Sequence, residues 1–182
     1  MHHKIMFIAG VHGIGKTTLC KSVCSKFHVI HHSASELITK YSHIEFQSNA
    51  RVKNINRNQH ALIGAINKYL DTNKEYLLDG HFCLPDQDGE ITEILLPTFT
   101  AISPMAIILL HDNPSNIYSR LKDRDREEWD LDLLSSFQEQ ELHYSRSVAT
   151  KLDIPYLRAN PFTDREIIHE FIANLLEQKT LS

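Results

Sequence analysis

The sequence predicts a three-layer α/β/α sandwich around a five-stranded parallel sheet. Three observations carry that expectation. Short apolar runs alternate with longer segments of helical periodicity, about five times along the chain. One run, Ala106 to Leu110, is apolar on both faces, as a covered parallel strand must be. And 182 residues are one domain's worth of chain, large enough to bury a core without disulfides.

Composition excludes several classes. Apolar residues make up 42% and charged residues 23%, which rules out a disordered chain, a collagen and a coiled-coil rod. The run Ala106–Leu110 is far too short to span a bilayer. Ile5 to Ala9 breaks at Gly10, too early for the apolar core of a secretion signal. Three cysteines, an odd count, are expected to be reduced thiols, so a cytoplasmic location is expected. The net charge of −4 offers no broad basic surface, so neither nucleic acid nor membrane is an expected partner. Twelve histidines are scattered at spacings that fit no zinc motif.

The elements follow in order. Lys4 to Ala9 reads as a buried strand, and Thr17 to Phe27 as a helix. His28 to His32 is a weaker strand. Ser33 caps a short helix through Lys40, with Glu36 completing a capping box. Residues 41–55 are polar and give no assignment. Leu62, Ile63, Ile66, Tyr69 and Leu70 set a helical period over Asn56 to Leu70. Glu75 to Leu78 is a strand ending in Asp79-Gly80. Pro85 to Glu90 reads as a loop, and Ile91 to Phe99 as a short helix or turn. After the strand Ala106–Leu110, Pro114 opens a helix to about Asp123, where its missing N–H costs nothing. A charged stretch, Asp123 to Asp132, leads into an amphipathic helix over Leu133 to Lys151. Ile154 to Leu157 is an edge strand because Pro155 cannot donate to a ladder. Thr163 to Gln178 closes the chain as a helix. Ligands in such sheets bind at the carboxyl ends of the strands.

The segment Gly10-Val-His-Gly-Ile-Gly-Lys-Thr-Thr18 fits G-x-x-x-x-G-K-[ST] at every fixed position, with a strand before it and a helix after it. Glycines at 10, 13 and 15 allow positive φ and turn backbone N–H groups inward. Those groups and the positive end of the following helix make an anion site for a nucleoside triphosphate. The cradle comprises Gly10, Gly13, Ile14, Gly15, Lys16, Thr17 and Thr18. Lys16 is expected to bridge the β- and γ-phosphates, Thr17 to place its hydroxyl on Mg2+, and Thr18 to face the α-phosphate. The motif thus predicts a P-loop NTPase fold with a nucleoside triphosphate and Mg2+ as expected ligands.

Phosphoryl transfer needs further cations over the transferred group. Arg120, Lys122, Arg124 and Arg126 cluster at the end of one helix and beyond it, with Arg120 and Arg124 on one face. Asp123, Asp125, Glu127 and Glu128 could equally pair with them in a solvated turn. Composition leaves the two readings level.

Val11 to Thr18, Leu77-Leu78-Asp79-Gly80 and Asn113-Pro114 through Arg120-Leu121 to Arg124 together resemble the P-loop nucleoside monophosphate kinases. The nearest likeness is to archaeal-type adenylate kinases and their small eukaryotic nuclear relatives, from residue 4 to about 175. The resemblance implies one domain over 1–182 with a short lid at about 123–132. It implies transfer of the γ-phosphoryl of ATP to a small anionic acceptor, a nucleoside monophosphate. It casts Asp79 as the carboxylate holding Mg2+ through water, and Arg120 as an arginine stacked on adenine. Arg124 and Arg126 become lid arginines at the transferred group. Ser33, Ser35 and Glu36 begin the acceptor helix, Asn160 lies in the loop cupping the base, and Arg146 is a further phosphate contact. Where relatives carry acceptor arginines this chain has Thr39 and His81-Phe82, which leaves Arg51 and Arg57 as substitutes. His81 follows Asp79-Gly80 and either donates to the acceptor or simply packs. Two other readings stay open: a nucleotide-dependent ATPase or switch acting on a protein or nucleoprotein partner, and a kinase of a non-nucleotide acceptor. Cys20 and Cys24 share a helix face and are expected in the core.

Overall fold

A computed structural model of the chain describes residues 3–45, 55–85, 90–124 and 130–177. In chain order the elements are β1 (Lys4–Ala9), α1 (Lys16–Lys26), β2 (Ile30–Ser33), α2 (Ala34–Glu45), α3 (Ile55–Tyr69), β3 (Glu75–Gly80) and β4 (Cys83–Pro85). There follow β5 (Ile91–Glu93), α4 (Leu96–Ile102), β6 (Ala106–Leu110), α5 (Pro114–Arg124), α6 (Leu131–Leu152), β7 (Tyr156–Ala159) and α7 (Arg165–Glu177).

Five parallel strands form one sheet in the order β2-β3-β1-β6-β7. The three central strands are the most apolar, and Ile5–Ala9, Tyr76–Leu78 and Ala106–Leu110 are all buried. Helices cover both faces, which gives the three layers expected and the P-loop NTPase fold. β1 and β3 lie side by side with Ile8 opposite Asp79 and Ala9 opposite Gly80. Their carboxyl ends therefore deliver the glycine loop and the Asp79-Gly80-His81 turn to the same place.

Besides β2 starting at Ile30 and α2 running on to Glu45, three boundaries differ from the sequence expectation, each for a physical reason. Residues 91–93 are neither helix nor turn. They pair antiparallel with Cys83–Pro85 as a two-stranded ribbon, and the helix α4 begins only afterwards. Strands of three residues are too short to show a period of two. The edge strand runs over Tyr156–Ala159 and not from Ile154. Pro155 stands just before it and contributes only its carbonyl, which accepts from Ile107 N at 2.9 Å. The long helix starts two residues early because Asp130 caps it, accepting from Asp132 N and Leu133 N at 2.8 and 3.0 Å. Half of the expected lid, 125–129, lies outside the described residues, and the other half closes α5 and opens α6.

An aromatic cluster ties the ribbon to the sheet. Phe82 packs on Phe99 at 4.5 Å between ring centres and edge-on to Phe7 at 5.3 Å. Among the described residues no helix is long and apolar enough to cross a membrane.

Candidate active site

The glycine loop takes the backbone shape its sequence requires. Gly10, Gly13 and Gly15 have φ of +142°, +74° and +102°. A Cβ on Gly10 would stand 2.7 Å from the Leu110 carbonyl oxygen, at a φ that L side chains avoid. Gly10→Ala is therefore expected to cost at least about 2 kcal/mol. A urea midpoint unchanged from the parent would show that β6 can yield there, contrary to this expectation. Ile14 turns its side chain into the core and leaves only its backbone in the loop.

Lys16 is the first residue of α1. Its Nζ donates to the carbonyls of Gly10 and Val11 at 2.5 and 3.2 Å and lies 3.4 Å from His81 Nε2. Thr17 and Thr18 are exposed on the same turn. Loop, lysine and both threonines line one wall of a cavity of about 620 Å³. Ser33, Ser35, Asp79 and His81 line it too, as do Asn58, Gln59 and Leu62 from α3, and Leu84, Ile94, Phe99 and Ile102 from the ribbon and α4.

Asp79 is buried at the end of β3, with Oδ2 2.6 Å from His31 Nε2. Thr17 and Asp79 offer hard oxygen donors to the same cavity, which suits Mg2+. Ser33 and Ser35 face each other, hydroxyl to hydroxyl, at 2.9 Å.

Arg120, which lines the same cavity, clamps the loop from α5. Its Nε donates to the Gly13 carbonyl at 3.0 Å, and Nη2 to Asp112 Oδ2 at 2.8 Å. The guanidinium also lies over the Phe162 ring, 4.6 Å from its centre. Asn160 joins through Nδ2, which donates to Asp112 Oδ1 at 2.9 Å, while its own Oδ1 accepts from Phe162 N. Burial pushes the Asp112 carboxyl pKa up. Hydrogen bonds from Arg120, Asn116 and the Asn113 N–H outweigh that and hold it below the usual value. Asp112 and Phe162 carry no motif and were invisible to sequence reasoning. Asp112 does sit directly before the Asn113-Pro114 signal.

Behind the ribbon, α6 sends Glu141 into the core, fully buried. Oε1 accepts from Phe82 N and Cys83 N at 2.9 and 3.1 Å and lies 3.4 Å from His81 Nδ1. Oε2 has no hydrogen-bond partner among the described residues. Burial pushes the Glu141 carboxyl up to about 7, against the backbone N–H groups and the charge of Lys16. Burial, with Lys16 nearby, holds His81 down at about 3, so its imidazole is neutral near pH 7. The His81 ring sits between His12, 4.6 Å away, and Phe137, 6.3 Å away. Glu141 was missed because an acidic residue in an amphipathic helix reads as a solvated one.

Other expected residues lie apart. Glu36 is exposed on α2 and not part of the cavity wall. Arg57 is half-buried on α3 and outside that wall, although its neighbours Asn58 and Gln59 line it. Arg146 is exposed on α6 and lines a separate cleft with Tyr156 and Arg158, away from the glycine loop. Arg124 ends α5, and Arg51 and Arg126 lie outside the described residues.

A phosphate-cradling loop at the head of a parallel sheet, with a lysine and a carboxylate beside it, defines a P-loop protein. Residues 9–138 match the family model of the AAA domain, and the chain belongs to that family. No curated protein matches the chain. Two solved structures share its fold along nearly the whole length. One is an unliganded sugar kinase from Janibacter sp. HTCC2649, 16% identical, with 96% of this chain and 95% of that one covered at a TM-score of 0.57. The other is a gluconokinase from Sinorhizobium meliloti 1021, 15% identical, with 97% and 93% covered at a TM-score of 0.55.

Proposed function

We propose that the chain is an ATP-dependent phosphotransferase whose acceptor is a small molecule with a reactive hydroxyl. The observation that carries this is the 620 Å³ cavity, which is lined by the glycine loop and also by residues of α2, α3, the ribbon and α4. A nucleotide-only switch needs one ligand, whereas this space continues past the loop.

In this reading Gly10 to Thr18 hold the triphosphate, and Lys16 leaves the loop carbonyls to meet the β- and γ-oxygens. Thr17 and Asp79 hold Mg2+, which when bound neutralises charge on those phosphates. Arg120 fixes the loop, and Phe162 with the Asn160 turn offers a flat surface beside it for a base. The likeness to adenylate kinases assigns Arg124 and Arg126 to a lid at 123–132 on a single domain, 1–182.

The described lining favours an uncharged acceptor. Away from the loop the lining is Ser33, Ser35, Asn58 and Gln59 among apolar side chains, and the imidazole beside Lys16, His81, is neutral. A monophosphate acceptor carries about two negative charges and favours bidentate arginines. The two similar structures are named as a sugar kinase and a gluconokinase, which supports a hydroxyl acceptor. A second reading, nucleoside monophosphate as acceptor, rests on the sequence resemblance and on Arg51 and Arg57 reaching the site.

A panel of sugars, polyols and nucleoside monophosphates with ATP and Mg2+ separates them. A phosphorylated hydroxyl compound is the expected product. A nucleoside diphosphate made from a monophosphate would support the second reading. ADP release at one rate with every acceptor and with none would overturn both.

A further inference from the structure

We propose that Cys20, His31 and Asp79 form a binding site for a borderline-soft divalent cation of the Zn2+ class. Each offers one donor atom, and the three atoms lie within 4.8 Å of one another. They come from three elements. Cys20 stands one turn past Lys16 on α1 and is buried. His31 lies on β2 and Asp79 on β3. The register pairs Ser33 with Asp79 and His31 with Leu77, so His31 and Asp79 belong to the same face of the sheet.

The donor set decides the cation. A tetrahedral zinc with one sulfur and two harder ligands sets its donor atoms roughly 3.3–3.7 Å apart. The cluster reaches that by a shift of about an ångström, within side-chain rotation. Mixed S, N and O donors suit Zn2+ or Co2+, whereas Mg2+ takes oxygen alone. Three protein ligands leave the fourth position open, and Asp79 lines the cavity, so water or a phosphate oxygen can complete it. On binding, the Cys20 thiol proton leaves to solvent as the sulfur–metal bond forms. The proton shared between His31 Nε2 and Asp79 Oδ2 moves to Nδ1 or leaves to solvent, and His31 then coordinates through Nε2 as the neutral tautomer protonated on Nδ1. The short contact between His31 Nε2 and Asp79 Oδ2 is exchanged for two bonds to the cation.

Occupancy would take Asp79 away from Mg2+. Only that consequence rests on the proposed function; the site itself stands on the cluster. No sequence motif announces it, because residues 20, 31 and 79 meet only through the sheet register.

The test is a Co2+ titration of the reduced full chain, followed by absorbance. One equivalent is expected to raise a thiolate-to-cobalt charge-transfer band with tetrahedral d–d bands, both erased by Zn2+. Cys20→Ser should abolish the charge-transfer band. His31→Ala should weaken Co2+ binding by more than about 100-fold, beyond the 10–100-fold typical of groups that merely orient a ligand. Cys24→Ser, one turn along α1, should keep the spectrum. Circular dichroism of each variant establishes folding. Absence of the band in the folded parent, or its survival in Cys20→Ser, would overturn the proposal, whatever the acceptor panel shows.

Discussion

Lys16→Ala is expected to lower phosphoryl transfer by at least about 10²–10³-fold, the usual cost of removing one preorganised donor to a developing charge. The effect should fall on kcat more than on nucleotide affinity. The lysine's gain is largest where charge shifts between the β- and γ-oxygens, whereas the backbone cradle binds the ground state as well. Folding should be spared. The lysine is only half-buried, and its bonds to the Gly10 and Val11 carbonyls can pass to water. Steady-state turnover and a nucleotide titration of the same preparation decide the matter. Full turnover in the variant would remove Lys16, and with it the proposed chemistry, from the site.

The largest effect on stability belongs to Glu141. Glu141→Ala strands two buried N–H groups, those of Phe82 and Cys83, and opens a void beside the aromatic cluster. Unmade buried hydrogen bonds cost about 1–3 kcal/mol each, so a loss of about 3–5 kcal/mol is expected in denaturant unfolding. Glu141→Gln keeps the accepting oxygen and should lose far less.

The two glutamate variants also separate opposing pH effects. The folded Glu141 carboxyl is raised to about 7, so its proton is held more tightly in the native state. Its contribution is complete at low pH and fades as pH climbs from the ordinary carboxylate range to about 7. His81 is held down at about 3, so its contribution is present above its ordinary range and is lost as pH falls toward 3. Between those ordinary values the two slopes oppose each other. Glu141→Gln removes the falling one and should leave stability rising more steeply through pH 4–6. A curve parallel to the parent's over that range would contradict the buried, titrating carboxyl.

Much of the fold was legible because its signals are strong and local. The runs at residues 5–9 and 106–110 are apolar on both faces, and the glycine motif marks the turn between strand and helix. What escaped was set by tertiary contact. The ribbon of 83–85 and 91–93 is too short for any period to show. Pro155 marked a strand that begins one residue later, because the chain needs its carbonyl there and not its nitrogen. In the site, the cradle was plain from residue types alone. Glu141, Asp112 and Phe162 were not, since each acquires its part only from what the fold packs against it. Arg146 lies exposed beside a separate cleft, a placement that one arginine in a helix does not reveal.

The placement of β1 bears on how the chain is made. Of the five strands of the sheet, β1 is synthesised before the others and stands in the middle, flanked by β3 at 75–80 and β6 at 106–110. At synthesis rates of about 5–20 residues per second, the apolar run Ile5–Ile8 waits on the order of 5–20 s for its second neighbour. The phosphate loop waits longer, because Phe162 comes after β7, the last strand of the sheet. A nascent chain halted before residue 160 therefore carries the complete glycine motif yet lacks Phe162, which lies against Arg120, and Asn160, which bonds the Asp112 that Arg120 holds. A chain cut before residue 160 is therefore expected to bind nucleotide more weakly than the full sequence, and to gain less stability from it, which a titration of the two would read.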